Sequence, residues 1–277
     1  MAEADVLKYL TMIMSKTNDH ALTSQGAVRA WSFFDISCCV MPITDEDVAL
    51  LNAAEARYSI DFFKDFAQSI TVYEDDDIWV VDKPAGLLSV NGKSLKVSLL
   101  SRLERANPEV KLIHRLDMDT SGLMIFAKNP AAQTHISKQF IERLPQKQYA
   151  ARVMGKWLSV GDKGEINVPV RYEPATKPRH IVDTEWKKHA LTLYEVLGHE
   201  QCAGEWVTRV ALKPVTGRSH QLRVHMVHVG HVMIGDPIYA TDTALAIAPR
   251  LNLHAHQLRL KHPVLGAWMD WESPVPF

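Results

Sequence analysis

An acid, a base and a turn-forming tripeptide follow one another in the segment HRLDMDTSG, residues 114–122. If residues 114–117 are extended, Arg115 and Asp117 project to the same side of the chain, because alternate side chains of a strand share a face. The Thr-Ser-Gly that follows offers two small hydroxyls and a glycine free to adopt positive φ, which favours a loop lining a cleft. Asp117 is therefore a candidate nucleophile or base, provided that a cation keeps it ionised.

A second segment could supply that cation. The stretch GRSHQLRVH, residues 217–225, contains Arg218 and Arg223. Its density of donors suits contact with a carboxylate, but the exposed end of a surface helix explains the pattern equally well. The residues alone leave open whether Asp117 and a partner from this segment form a catalytic pair.

Strands and helices alternate around these two segments. The apolar run 78–81 ends in the turn signal DKPAG, which predicts a buried strand, and residues 123–127 are a second strand candidate. Asn129 and Pro130 suit the cap and the first position of a helix that extends to Arg143.

Four further elements are predicted from spacing. Ser94 is placed to cap a helix in which leucines recur at every fourth residue. Residues 148–154 read as a strand with Tyr149 near its beginning, residues 205–213 alternate as a strand, and residues 219–229 read as a helix. Mixed strands and helices without a regular βαβ period predict an α+β fold with a mixed sheet, rather than a doubly wound parallel fold.

Length and composition limit the class of protein. The 277 residues allow one large domain or two modest ones, and a hydrophobic content of 47 % with 23 % charged residues excludes a collagen-like or wholly disordered chain. The apolar runs fall short of the roughly 20 residues that cross a bilayer, and the start of the chain lacks the basic region of a secretory signal. Three cysteines, two of them adjacent, argue against a disulfide framework. We expect a cytoplasmic protein with reduced thiols and no membrane partner.

Charge divides the chain into two parts. Residues 1–77 contain 14 acidic and five basic side chains, a net charge of −9, which leaves +8 on residues 78–277. The positive excess suits contact with phosphates, although a solvated basic surface would give the same count. Residues 1–70 read as helical segments, and we interpret them as an N-terminal helical extension of unknown role, separate from a domain that covers residues 71–277.

Four blocks of the sequence occur in the same order as in a known family. HRLDMDTSG resembles the signature of the RluA-type pseudouridine synthases, DKPAGLLSV (82–90) resembles their first block, KQYAARVMG (147–155) their lysine-x-tyrosine block, and LKPVTGRSHQLRVHM (212–226) their C-terminal block. With GHVMIGDPIYA and the ending APRLNLHAHQLRLKHPVLG, the resemblance covers residues 71–277. It implies a pseudouridine synthase fold, in which helices flank a mixed, mostly antiparallel central sheet that is split by a catalytic cleft.

The resemblance also implies an isomerase that needs no cofactor. In uridine isomerisation the bond from the base nitrogen to C1′ breaks, the uracil turns, and its C5 bonds to the same sugar carbon, with no redox step. Asp117 matches the essential aspartate, which either attacks C1′ or removes the C2′ proton. Tyr149 matches the tyrosine that stacks on the uracil, Arg223 the arginine that pairs with the aspartate, and Leu222 the apolar residue near the base.

The implied partner is structured RNA. The sequences LLSV, MDTSG and APRL are most similar to the branch of the family that modifies large-subunit rRNA and the tRNA anticodon arm. A uridine inside a stem has to be flipped out, and Arg115 matches the arginine that enters the RNA stack. We interpret Lys83, Lys147, Arg152 and Arg218 as phosphate contacts.

Two other functions compete with this interpretation. A non-catalytic RNA-binding or RNA-folding factor would keep the same scaffold, but the intact Asp117, Tyr149 and Arg223 argue against it. A metal-dependent hydrolase would use the four histidines between positions 220 and 231, but no carboxylate or cysteine nearby completes a ligand set, so we expect no metal.

Three further expectations concern Asp119, the oligomeric state and a divergent segment. We interpret Asp119 as a solvated loop acid and expect a monomer. The segment 171–196 departs from the family pattern and could alter which RNA is chosen.

Overall fold

The computed structural model describes residues 44–277. These residues form six α-helices: α1 Asp45–Glu55, α2 Ile60–Ile70, α3 Leu99–Ala106, α4 Pro130–Ile141, α5 Gln221–His228 and α6 Asp242–Ala246. They also form eleven strands: β1 Thr71–Glu74, β2 Ile78–Lys83, β3 Lys111–Leu112, β4 Ser121–Ala127, β5 Gln146–Met154, β6 Lys163–Tyr172, β7 His180–Val182, β8 His189–Cys202, β9 Glu205–Pro214, β10 Leu253–Lys261 and β11 Trp268–Glu272. The helical segments predicted before Thr44, together with Cys38 and Cys39, lie outside the described residues.

One sheet contains all eleven of these strands. Its order is β1-β2-β4-β10-β5-β9-β8-β6-β7, with β3 also paired with β4 and β11 with β10. The pairs are antiparallel, with the exception of β4 and β10, which run parallel. The prediction of an α+β fold with a mixed, mostly antiparallel sheet is confirmed.

The parallel junction between β4 and β10 is only two residue pairs long. It pairs His254 with Ser121 and Ala255 with Gly122. Gly122 has a φ of +111°, and a Cβ atom there would lie 2.4 Å from the carbonyl oxygen of Ala255, so the close approach of the two strands requires glycine. Residues just before β4, together with Leu253 at the start of β10, line a cavity beside this junction.

Strands β2 and β4 are buried on both faces. Alternate residues of β4 belong to two different core clusters, one of which includes Leu99 and Leu103 of α3 and the other Ile136 of α4. This two-sided burial explains why both strands are continuous apolar runs in the sequence. In residues 44–277, no helix has both the length and the apolar character that spanning a membrane requires.

The described part of the predicted N-terminal extension packs against α3. Phe66, Ala67 and Ile70 of α2 are buried in the larger core cluster. Glu55 at the end of α1 accepts two hydrogen bonds from Arg102 of α3, at 2.6 and 2.8 Å, and the same guanidinium lies 4.8 Å from the centre of the Phe66 ring. Helices α1 and α2 therefore share a core with the strands that follow them.

Three helix boundaries differ from the prediction. Ser98, and not Ser94, caps α3, because the side chain of Ser98 accepts a hydrogen bond from the amide of Ser101. Helices α4 and α5 are shorter than predicted because a residue in the left-handed conformation lies just outside each of them. These residues are Arg143 (φ 58°), which follows α4, and His220 (φ 54°), which precedes α5.

Candidate active site

A cavity of about 490 Å³ lies beside the junction of β4 and β10. Ligand pockets of proteins typically measure about 300–1,000 Å³, so this volume can hold a nucleotide. The loop before β4, strand β5 and the segment from β9 into α5 form its walls. Among the predicted site residues, those that line the cavity are Arg115, Asp117, Lys147, Tyr149, Arg218, Leu222 and Arg223.

Interior hydrogen bonds hold the loop that carries Asp117. The amide of Leu116 donates to Oγ of the buried Ser89 at 3.0 Å, and that hydroxyl donates to the carbonyl of Leu116 at 2.7 Å. On the other side of Asp117, Lys83 Nζ donates to the carbonyl of Met118 at 2.9 Å. Both chain neighbours of Asp117 are thus fixed to buried groups, while its own side chain remains 20 % exposed.

His114 anchors the beginning of the same loop. Its Nε2 accepts a hydrogen bond from the amide of Ile125 at 3.1 Å, and its ring stacks on Phe140 with 4.8 Å between the ring centres. Burial, with a smaller effect of the Lys147 charge, lowers the pKa of His114 to about 3. His114 is therefore a neutral structural group rather than a proton donor of the cavity.

Two carboxylates share the guanidinium of Arg223. Its Nε and Nη2 donate to the two oxygens of Asp236 at 2.8 and 2.5 Å, while Nη1 lies 3.6 Å from Oδ2 of Asp117. The side chains of Arg223 and Asp236 are both 1 % exposed. A bidentate pair is the strong geometry for arginine with a carboxylate, so Asp236 fixes the guanidinium. Arg223 then directs Nη1 at Asp117 while part of that carboxylate stays open to the cavity.

Tyr149 and Leu222 form the apolar wall of the cavity. Tyr149 lies in β5, between its partners Leu212 in β9 and Ala255 in β10. Burial, and to a lesser degree the charge of Asp117, raises the pKa of Tyr149 well above its usual range, so its hydroxyl stays protonated. Leu222 lies in the first turn of α5 and is also buried.

The mouth of the cavity carries positive charge. Arg115 and Arg218 are exposed there, and Lys147 is half-buried with its Nζ 5.8 Å from the centre of the Phe140 ring. Burial lowers the pKa of Lys147 from its ordinary value. These three side chains give this part of the cavity lining a positive charge.

The predicted phosphate contact of Lys83 is wrong. The side chain is fully buried, and Nζ donates to the carbonyls of Pro84, Leu87 and Met118 at 2.8, 2.7 and 2.9 Å. Burial lowers the pKa of Lys83 to about 7. Because its three donors are directed at main-chain oxygens, Lys83 joins the turn after β2 to the loop that carries Asp117.

The prediction for Asp119 is also corrected, while the phosphate contact of Arg152 stays a prediction. Asp119 is half-buried rather than solvated; burial raises its pKa, and the nearby charges of Arg223 and Lys83 oppose that effect. Arg152 is absent from the residues that line the cavity, and its Nε lies 2.6 Å from Glu200 Oε1 on β8. It is therefore engaged in an ion pair within the sheet.

Asp236 and Tyr239 belong to the site although no role was predicted for them. Asp236 Oδ1 accepts hydrogen bonds from the amides of Ile238 and Tyr239 at 2.9 and 3.0 Å, which forms a tight turn. Gly235 just before it has a φ of +68°, and a Cβ there would meet the carbonyl oxygen of Arg250 at 1.9 Å. The Gly-Asp-Pro sequence signals this turn, but the contact of Asp236 with Arg223 is visible only in the folded structure.

The four histidines considered as metal ligands do not come together. In residues 44–277, the ligand atoms of Asp75, Asp77 and His262 lie within 4.8 Å of one another, and the histidines at 220, 225, 228 and 231 form no such group. His262 Nε2 already lies 2.9 Å from Asp75 Oδ2, and Asp75 Oδ1 accepts hydrogen bonds from the amides of Asp77 and Ile78 at the turn before β2.

Known proteins are similar to this chain in sequence and in fold. The family model for RNA pseudouridylate synthase matches residues 77–228. The dual-specificity RNA pseudouridine synthase RluA of Escherichia coli K12 is 44 % identical over 210 residues, which cover 75 % of this chain and 94 % of that protein. RluA of Yersinia pestis is 42 % identical over 210 residues, covering 75 % of this chain and all of that protein. The solved structure of human RNA pseudouridylate synthase domain containing 1 has a TM-score of 0.66 at 31 % identity, and covers 75 % of this chain and 84 % of that one.

Proposed function

Because the chain belongs to the RNA pseudouridylate synthase family, we propose that its cavity isomerises a specific uridine of structured RNA, in the tRNA anticodon arm, in large-subunit rRNA, or in both. The enzyme is an isomerase: the bond from uracil N1 to C1′ breaks, the base rotates, and C5 forms the new bond to C1′. The hydrogen on C5 leaves as a proton, N1 takes up a proton, and no electrons are exchanged. One observation carries the proposal: Asp117, the one acid among the described residues that line the nucleotide-sized cavity, lies 3.6 Å from the buried guanidinium of Arg223.

Asp117 acts on the ribose. It either attacks C1′ or removes the proton from C2′, and both routes need an ionised carboxylate beside the sugar. A single acid is sufficient because the base leaves and returns to the same carbon, in contrast to the paired carboxylates of glycosidases. Arg223 places Nη1 3.6 Å from Oδ2 of Asp117 and is itself held in place by Asp236.

Tyr149 and Leu222 hold the uracil while it turns. The buried ring of Tyr149 offers a flat apolar surface for stacking, which tolerates rotation of the base in its own plane. Its raised pKa keeps the hydroxyl neutral, so no second negative charge repels Asp117. Leu222 closes the apolar wall against water.

The substrate uridine enters the cavity as a flipped nucleotide. Extrusion from a stem costs a few kcal/mol, part of which a side chain recovers by filling the gap in the stack. We assign this role to Arg115, which is exposed at the mouth of the cavity next to Asp117. Lys147 and Arg218 line the same cavity and are assigned to phosphate contacts.

The catalytic domain comprises residues 71–277 in this proposal. Residues 1–70 form an extension, and its described helices α1 and α2 serve as a docking layer, which the burial of Phe66 and Ile70 supports. We further propose a cytoplasmic, monomeric enzyme. The divergent segment 171–196 contributes to the choice of RNA.

Tritium release tests this function. The protein is incubated with under-modified tRNA and large-subunit rRNA that carry tritium on uridine C5, since isomerisation releases that tritium into water. We expect release by the intact protein and none by Asp117→Asn, which keeps the shape of the side chain but removes its charge. Sequencing-based mapping of pseudouridine then identifies the position.

A matched control separates a loss of chemistry from a change of surface charge. Glu165→Gln removes one negative charge from an exposed site on β6 and is expected to leave tritium release unchanged. If the intact protein binds both RNAs without releasing tritium from either, the enzyme proposal is overturned in favour of a non-catalytic RNA-binding factor.

A further inference from the structure

His220 stands at an unusual point of the backbone beside Asp117. It has a left-handed conformation (φ 54°, ψ 13°) at the start of α5, and its side chain makes no capping hydrogen bond to that helix. Its Nε2 lies 4.0 Å from Oδ2 of Asp117, and its Nδ1 lies 2.7 Å from the hydroxyl of Tyr239. The imidazole therefore lies between the candidate catalytic acid and Tyr239, a residue to which the proposed reaction assigns no role.

The hydrogen bonds of Tyr239 favour one of the two neutral forms of His220. The hydroxyl oxygen of Tyr239 accepts a hydrogen bond from the amide of His180 at 2.8 Å. Its own hydrogen can then complete the 2.7 Å contact with Nδ1 of His220, which acts as the acceptor. A neutral imidazole that accepts at Nδ1 carries its hydrogen on Nε2, the atom that faces Asp117.

Arg223 and His220 both approach the same oxygen of Asp117. Nη1 of Arg223 lies 3.6 Å from Oδ2, and Nε2 of His220 lies 4.0 Å from Oδ2. These separations are longer than direct hydrogen bonds, as is common for catalytic groups before the substrate complex forms, and a small rotation of the carboxylate shortens them. With Oδ2 placed between two N–H groups, Oδ1 is the oxygen that stays available to the ribose.

We propose that His220, held by Tyr239 in the form with hydrogen on Nε2, is a positioning residue that restrains Oδ2 of Asp117 together with Arg223 and leaves Oδ1 to react. This inference rests on the proposed function and adds two residues, His220 and Tyr239, to its machinery. Neither residue touches the reacting atoms; both act through Asp117.

Several charged and titratable groups surround the His220 ring on different elements. They are Asp117 on the loop before β4, Arg223 on α5, His180 on β7, and Asp236 and Tyr239 on the turn after α5. Burial lowers the pKa of His220 to about 4, opposed by the charge of Asp117 and reinforced by that of Arg223. The ring is thus neutral near pH 7, as the assigned hydrogen-bond pattern requires.

Two substitutions distinguish a His220 that positions Asp117 from a His220 that only supports the backbone. The two roles predict opposite orders of kcat for these variants. The amide nitrogen of Gln can reach the place of Nε2, whereas Asn reaches only the place of Nδ1 and suits the left-handed backbone better. We expect His220→Gln to retain kcat within about 5-fold and His220→Asn to lose about 10- to 100-fold in kcat at an unchanged KM for the RNA, the size of effect that misplacing a reacting group causes. A backbone role predicts the reverse order, and that order would overturn the proposal.

Tyr239→Phe provides a second test through its pH profile. Without the hydroxyl, the hydrogen of neutral His220 can move to Nδ1, so kcat falls; at lower pH a second proton restores the hydrogen on Nε2. Because the pKa of His220 is lowered to about 4, the ratio of kcat for the variant to kcat for the intact protein should therefore rise as the pH falls from 6 to 4. In the double variant Tyr239→Phe, His220→Gln the imidazole is gone, and this ratio should not change with pH. A constant ratio in the single variant contradicts the inference.

A spectroscopic measurement keeps the inference separate from the proposed function. Imidazole nitrogen-15 shifts of His220, assigned by comparison with His220→Gln, report the protonated nitrogen without any turnover. We expect hydrogen on Nε2 in the intact protein and a mixture of forms in Tyr239→Phe. Hydrogen on Nδ1 in the intact protein rejects the positioning role, whereas a failure of the intact protein to release tritium from any RNA rejects the proposed function.

Discussion

The basic residues beneath the cavity differ from those at its mouth in burial and in hydrogen-bond partners. The buried cations, Lys83 and Arg223, direct their donors at carbonyls and carboxylates of the protein. The rim cations, Arg115 and Arg218, are exposed where RNA would approach. The difference shows that the basic residues of one site divide into those that hold the catalytic loop and those that are accessible to phosphate. Substitutions in the two groups should therefore affect different measurements.

The largest effect on folding is expected at Arg223. Arg223→Met leaves the buried Asp236 without its cation, and removing one partner of a buried ion pair typically costs about 3–5 kcal/mol. Urea unfolding followed by circular dichroism measures this loss. Tritium release should fall to background in the same variant, because the charge beside Asp117 is also gone.

A double variant separates the loss of stability from the loss of tritium release. Arg223→Met, Asp236→Asn removes both charges, so that neither is left buried and unpaired, and the amide oxygen of Asn can still accept the hydrogen bonds from Ile238 and Tyr239. We expect most of the unfolding free energy to return while the RNA remains unmodified. If activity returned with stability, Arg223 would have only a structural role, and the distinction drawn for the buried cations would fail.

Lys83 should have the next largest effect. Lys83→Met keeps the length of the side chain but removes the three hydrogen bonds to Pro84, Leu87 and Met118. Each buried carbonyl left without a donor costs about 1–3 kcal/mol, but the variant no longer buries an amine, so we expect a net loss of about 1–3 kcal/mol in unfolding free energy. Activity should decrease partially, since the loop around Met118 still keeps the bonds between Leu116 and Ser89. An unaltered stability would mean that Lys83 does not fasten this loop.

Burial also predicts the pH dependence of the Lys83 contribution. The pKa of Lys83 is lowered from 10.5 to about 7 in the folded protein, so between these pH values the unfolded chain binds more protons than the folded one. Raising the pH then favours folding, and this contribution is lost as the pH falls from 10.5 towards 7. The unfolding free energy of the intact protein minus that of Lys83→Met should therefore increase from pH 7 to pH 10. A difference that stays level over this interval would show that the buried amine does not titrate there.

Local signals in the sequence predict much of the fold. The apolar runs of β2 and β4 and the Asn129-Pro130 start of α4 depend on residues that are close in the chain, and they appear as expected. The pairing of Asp117 with Arg223 follows from the family resemblance. In contrast, the sequence does not reveal that Asp236 takes two of the three guanidinium nitrogens of Arg223.

The wrong predictions for Lys83 and for the start of α5 have a common physical cause. Lysine is rarely buried, so Lys83 reads as a surface residue until the structure shows three carbonyl oxygens converging on it. Similarly, the left-handed backbone of His220 is set by contacts with Tyr239 and α5, and a helical pattern continues across it in the sequence. Such features depend on residues brought together by folding, which spacing along the chain does not encode.

The smallest effect on folding is expected for the rim cations. Arg218→Ala should change the unfolding free energy by less than about 0.5 kcal/mol, as is usual for an exposed side chain. Each phosphate contact contributes about 0.7–0.9 to the slope of log affinity against log salt concentration, so the variant should bind RNA more weakly and with a slope reduced by about that amount. Lys64→Ala on α2 is the matched control, because it removes the same charge from an exposed residue that does not line the cavity, and its salt slope should equal that of the intact protein. If both variants reduced the slope equally, RNA would respond to the net charge of the protein, and the rim cations would have no special position.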